Sequence, residues 1–72
     1  MLRVKRKSAI APGDYLYDKT TGRVGEYRET FVGRLWLRPL GGGREWPVSD
    51  ADARRPTAAE VARAWAAREE RT

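Results

Sequence analysis

The sequence predicts a small, mainly β domain: an antiparallel barrel or strongly bent sheet of four to five short strands, with one C-terminal α-helix. Three observations carry that prediction. Pro12-Gly13-Asp14 opens an alternating run, Tyr15 to Asp18, and a Thr-Thr-Gly turn leads into a second run, Arg23 to Tyr27, that carries its own glycine. Arg34-Leu35-Trp36-Leu37-Arg38 alternates strictly, with Leu35 and Leu37 inward and Arg34, Trp36 and Arg38 outward. Thr57 followed three residues later by Glu60 is the signature of a capping box at a helix start.

The elements follow in order. Residues 1–8 form a basic N-terminal arm or a short edge strand, residues 9–56 the barrel, and residues 57–72 the helix. In the first strand Leu16 faces one side, and Tyr15 and Tyr17 the other. In the turn Asp18 to Gly22, Asp and Thr side chains bond nearby backbone and Gly22 takes a positive φ. The second strand spans Arg23 to Phe31, and Gly25 inside it marks a bulge or sharp bend. Pro39 ends the third strand or sits at a sheet edge. Gly41-Gly42-Gly43 is a hairpin loop, and Arg44 to Val48 returns as the next strand. Ser49 to Arg55 is a polar connection. The helix carries a narrow apolar stripe, Ala58, Val61, Ala62 and Trp65, with Arg and Glu on its other faces. That stripe either closes the open end of the barrel or stays exposed for dimerisation or partner docking, so the chain is expected to be a monomer or a weak homodimer.

Seventy-two residues make a single domain, and a chain this short buries only about 60% of its unfolded surface. Ten of its apolar residues are alanines. The core therefore falls to Leu16, Val24, Tyr27, Phe31, Leu35, Leu37, Leu40, Val48, Val61 and the three tryptophans. Arginine outnumbers lysine, and alanine is frequent, a bias that fits a GC-rich bacterial genome. Cysteine and histidine are both absent. The usual general base, thiol nucleophile and transition-metal ligands are thereby missing, so neither enzymatic activity nor a cofactor or metal is expected. Asp50 and Asp52 form a close acidic pair, in a solvated connection. Gly41-Gly42-Gly43-Arg44 lacks the Lys-Ser/Thr of a phosphate-binding loop and precedes a strand rather than a helix. No apolar run is long enough for a membrane span or a signal segment, which predicts a cytoplasmic protein without a membrane partner.

The net charge of +5 is unevenly placed. Arg3, Lys5, Arg6 and Lys7 supply four of the charges, and the remainder of the chain is almost neutral. A basic arm either attracts phosphate at long range or is a solvated terminus. The candidate contact surface is aromatic and basic: Tyr15 and Tyr17 on one strand, and Arg34, Trp36 and Arg38 on another. Such a set stacks bases while guanidinium groups hold phosphates, and it equally suits a protein interface, where Tyr, Trp and Arg dominate. Alternatively, Trp36 is covered by the helix through Trp65. The first expectation is a nucleic-acid or ribonucleoprotein module that uses Arg3, Lys5, Arg6 and Lys7 with Tyr15, Tyr17, Arg34, Trp36 and Arg38. The second is a protein–protein adaptor using the same aromatics or the helix.

The bent first hairpin and the short strands resemble an SH3-like barrel. The Gly13-Asp14 opening and the Gly22-x-x-Gly25-x-Tyr27 spacing resemble the KOW motif. That motif belongs to barrels of ribosomal proteins and transcription elongation factors, and the resemblance implies contact with RNA or RNA polymerase. The chain is also similar over most of its length to small actinobacterial proteins that share the Gly-Asp opening, the Thr-Gly-Arg-Val-Gly hairpin and the segment Leu37 to Trp46. This second resemblance implies no activity.

Overall fold

The structure is a computed structural model and describes residues 10–70. The cations Arg3, Lys5, Arg6 and Lys7 lie outside the described residues. The chain forms β1 (Tyr15–Asp18), β2 (Arg23–Phe31), β3 (Arg34–Pro39), β4 (Trp46–Val48), β5 (Ala53–Arg54) and α1 (Ala58–Glu70), with a 3-10 turn at Asp50–Asp52 before β5. The strands make one antiparallel sheet in the order β4-β3-β2-β1-β5. It is mainly β with a C-terminal helix, as expected, but the sheet is not closed. Its edge strands are short, three and two residues. Part of the polar connection 49–55 is itself a strand, with Ala53 and Arg54 returning to pair with Asp18 and Tyr17. Among the described residues no helix is long and apolar enough to cross a membrane.

The Gly13-Asp14 opening is a turn. Gly13 has φ 102, the Asp14 carboxylate accepts from the Ala11 N–H at 2.9 Å, and Arg55 reaches the same carboxylate at 3.4 Å. Gly22 has the positive φ its turn requires, 73. The alternation of β1 and β3 places Leu16, Leu35 and Leu37 on the inner face. There they form the core with Tyr27, Val48 and Ala53, and Ile10 and Trp46 pack against it. Leu37 is fully buried.

Two expectations about β2 are corrected by its register. Gly25 makes no bulge, because it pairs regularly with Leu16 on one side and Pro39 on the other. The bulge comes later, between Tyr27 and Glu29. One extra residue there, Arg28, reverses the facing of everything after it. Thr30 therefore turns inward and bonds the Tyr27 hydroxyl at 2.7 Å. Phe31, expected in the core, turns outward and is 61% exposed.

Helix α1 starts as the sequence predicts. The Glu60 N–H donates to Thr57 Oγ1 at 3.1 Å, and the Thr57 N–H donates to Glu60 Oε1 at 3.0 Å. Arg54 adds a two-pronged contact to the Glu60 carboxylate at 2.9 and 2.8 Å. The Arg54 guanidinium and the Thr57 N–H hold the Glu60 pKa down to about 2 from an ordinary 4.5. A carboxylate whose folded pKa is depressed stabilises the fold above its unfolded pKa, and that stabilisation is lost as pH falls toward the folded value. Thr57→Ala is therefore expected to lower the unfolding free energy by about 1 kcal/mol. Glu60→Gln should also lower the urea midpoint at neutral pH, and its gap to wild type should narrow between pH 4.5 and 2. A Thr57→Ala midpoint equal to wild type, or a Glu60→Gln gap indifferent to pH, contradicts this helix start.

The rest of α1 departs from expectation. It packs against β2, yet none of its residues is buried, and Val61, expected in the core, is only half-buried. The Trp65 ring instead carries the Arg68 guanidinium, 5.6 Å from its centroid.

Candidate interaction surfaces

The register gathers the predicted contact residues on one face, the outer face of the sheet. Tyr15 is opposite Glu26, which is opposite Arg38; Trp36 lies between Glu29 and Pro47; Arg34 is opposite Phe31. The face is nevertheless not the basic platform that the sequence pattern implies. Arg38 contacts Glu45 at 3.4 Å, and Arg28 contacts Glu26 at 3.1 Å. Of the candidate cations among the described residues, Arg34 alone is exposed without an ion-pair partner there.

Tyr17 shares this face but leads away from the aromatic strip. It is opposite Val24 and Arg54, and the Arg54 guanidinium covers its ring at 4.1 Å from the centroid while holding Glu60. Tyr17 thus ties the sheet to the helix start, and that side of its ring is closed to a stacking base. Trp36 is half-buried, and its indole N–H is covered without a hydrogen-bond acceptor among the described residues.

The inner face holds a polar anchor that the sequence pattern did not flag. Asp18 shares the core side with Leu16 and is only 1% exposed. Its carboxylate accepts from the Thr20 N–H at 2.8 Å, the Thr20 hydroxyl at 2.6 Å and the Trp46 indole N–H at 2.8 Å. Burial pushes the Asp18 pKa up, but the hydrogen bonds from Thr20 and Trp46 outweigh it and the net shift is downward. The Trp46 ring lies against Gly25, where an added Cβ would come within 2.7 Å of it. Arg23 stacks on that ring at 3.9 Å from the centroid.

The hairpin tip between β2 and β3 carries a second feature outside the predicted contact residues. Phe31 and Val32 are the exposed large hydrophobic residues of the described chain, 61% and 79% exposed. Val32 has φ 51 and Gly33 φ 74. Two positive φ values in a two-residue hairpin connection call for Asn-Gly or Gly-Gly, not a β-branched residue. The signal legible in the sequence is this substitution: a Val-Gly pair between two alternating runs where Asn-Gly is the stable choice. Among the described residues no three acidic side chains gather as a metal site. No family model, curated protein or solved structure matches the chain.

Proposed function

We propose that this chain is a non-catalytic, cytoplasmic binding module of SH3-like architecture that docks a protein partner through the β2–β3 hairpin tip and the adjoining outer face. The SH3-like reading is supported by the short antiparallel strands in sequential order and by β5 returning to β1. The non-catalytic reading rests on a sequence without histidine or cysteine. The observation that carries the function is Val32. A β-branched residue in the left-handed region stores on the order of 1–3 kcal/mol of strain, and here it also holds an apolar side chain in water beside exposed Phe31. Neither feature helps the chain fold. Both make sense where a partner covers the tip, with Arg34 and Trp36 beside it as the residue types that anchor protein interfaces. Glu26, Glu29 and Glu45 interleave with the arginines of this face and would repel a phosphate backbone.

The nucleic-acid reading is kept as the second, on the resemblance of the first hairpin to the KOW motif and on the run Arg3, Lys5, Arg6 and Lys7. One experiment separates the two. Full-length protein is used to capture partners from native cytoplasm after nuclease treatment, and the captured protein is then titrated against wild type, Phe31→Ser and Val32→Asn. Val32→Asn should raise the unfolding midpoint, because Asn tolerates the left-handed region, and should weaken binding along with Phe31→Ser. Unchanged affinity in both variants contradicts the protein reading. Capture abolished by nuclease, together with oligonucleotide binding whose log affinity falls by about 0.7–0.9 per phosphate contact against log salt, replaces it with the nucleic-acid reading.

A further inference from the structure

We infer that the groove between α1 and the β1–β2 end of the sheet is a second docking site, and that it takes an acidic peptide segment carrying an apolar side chain. The site goes beyond the hairpin tip and lies at the other end of β2. The β1–β2 turn and the loop after β3 border it, whereas the tip joins the far ends of β2 and β3.

The groove has a volume of about 610 Å³, within the range of about 300–1,000 Å³ usual for ligand pockets. Val24 and Leu40 supply apolar surface on the sheet side, and Ala64 and Ala67 on the helix side. Those alanines leave space where larger side chains would have joined helix to sheet, and α1 accordingly buries no residue.

The charge on this groove selects the occupant. Arg23, Arg63 and Arg68 line it, and none of them has an ion-pair partner among the described residues. Among the described residues the one lining carboxylate, Glu60, is already held by Arg54 and by the Thr57 N–H. Arg63 and Arg68 therefore flank an apolar trough, and Arg23 stands at its edge, with no counterion among the described residues. Two of them are backed by aromatic rings: Arg23 at 3.9 Å from the Trp46 centroid, and Arg68 at 5.6 Å from that of Trp65. A guanidinium resting on a ring loses less freedom when a carboxylate engages its fork. A single nucleic-acid strand fits less well. It needs open aromatic faces for its bases, and here Arg23 covers a face of Trp46 while Arg54 covers one of Tyr17.

The test uses full-length protein and a short fluorescent glutamate-rich peptide with leucine and phenylalanine at its centre, followed by anisotropy. A lysine-for-glutamate version, a version with serine at the central positions, and a single-stranded RNA serve as comparisons. The acidic peptide should bind. Arg63→Ala should weaken it about tenfold, the loss of one charge-assisted contact of about 1.4 kcal/mol, and Arg63→Glu should weaken it further. The serine version should bind less tightly, and the lysine version should not bind. Arg63 is exposed, and an unchanged urea midpoint establishes that its variants fold. Replacing Lys5, Arg6 and Lys7 together with serine should leave the affinity intact, as should Phe31→Ser. That last variant keeps failure of this site distinct from failure of the hairpin tip. The inference is overturned by absent binding, by Arg63→Glu binding as wild type does, by affinity that disappears with the arm cations, or by RNA binding that Arg63→Glu removes.

Discussion

Asp18→Ala is expected to lower the unfolding free energy by about 3 kcal/mol. The carboxylate is 1% exposed and accepts three hydrogen bonds, from the Thr20 N–H, the Thr20 hydroxyl and the Trp46 indole N–H. Truncation leaves the indole N–H without its acceptor, and a buried donor left unpaired costs about 1–3 kcal/mol. The Thr20 backbone N–H adds a smaller loss. Asp18→Asn should recover little, since its amide keeps one acceptor oxygen but must turn either that oxygen or a donor toward the indole. The pKa of Asp18 is lowered in the fold, so its contribution is complete above the unfolded value of 3.8 and declines as pH falls through the lower folded value. The difference between wild type and Asp18→Ala should therefore shrink in acid. A double-mutant cycle with Trp46→Phe isolates the contact, because phenylalanine has no N–H to strand. Asp18→Ala should cost clearly less in that background, and additive losses would show that the indole bond contributes nothing. The anchor also reaches the surface: the ring that Asp18 fixes is the ring on which Arg23 lies, so loosening Trp46 should also loosen a guanidinium at the edge of the groove.

What could be read from sequence was local or periodic. The alternation of Arg34 to Arg38 assigned inside and outside correctly because a strand repeats every two residues. The capping box was legible because both of its partners lie within one helical turn. Gly22 was legible because a tight turn states its own backbone requirement. Failures occurred where a distant residue decides. Gly25 reads as a bulge or sharp bend; its regular pairing removes the bulge, and the close approach that requires glycine is set by Trp46, which arrives from β4. Phe31 reads as core because large apolar residues are few, and nothing in the pattern announces the bulge after Tyr27 that turns it outward. Asp18 bonds nearby backbone as its turn position implies, accepting from the Thr20 N–H, but its second partner, the Trp46 indole, arrives from β4 and leaves no local trace. Ala53-Arg54 is too short to show any period. For the contact surface, the shared outward facing of Tyr15, Trp36, Arg34 and Arg38 followed from alternation. The pairing of Arg38 with Glu45, and the covering of Tyr17 by Arg54, depend on cross-strand register.

Gly25→Val is the second large effect, expected at about 3 kcal/mol or more of lost stability, with about 2 kcal/mol for Gly25→Ala, the upper part of the range for overpacking a close-fitted interior. Gly25 is not among the glycines in the left-handed region, so backbone preference gives no reason to keep it. At an ordinary φ, Gly→Ala stabilises by about 0.4–1 kcal/mol through the unfolded chain, and the two accounts therefore predict opposite signs. What decides is space. A Cβ at this position would stand 2.7 Å from Trp46 Cη2, 2.9 Å from Leu37 Cβ and 3.1 Å from the Arg38 carbonyl oxygen. The indole cannot swing aside easily, being held at its N–H by Asp18 and covered by Arg23. Leu37 is fully buried and cannot yield either. In a Trp46→Ala background the Gly25→Ala penalty should fall but not vanish, because the contacts with Leu37 and the Arg38 carbonyl remain. Urea unfolding of the four proteins of this cycle measures both quantities. If Gly25→Ala raises the midpoint in wild type, the tight approach of Trp46 to the β2 backbone is not what holds this glycine in place, and the packing described for the inner face is wrong at its centre.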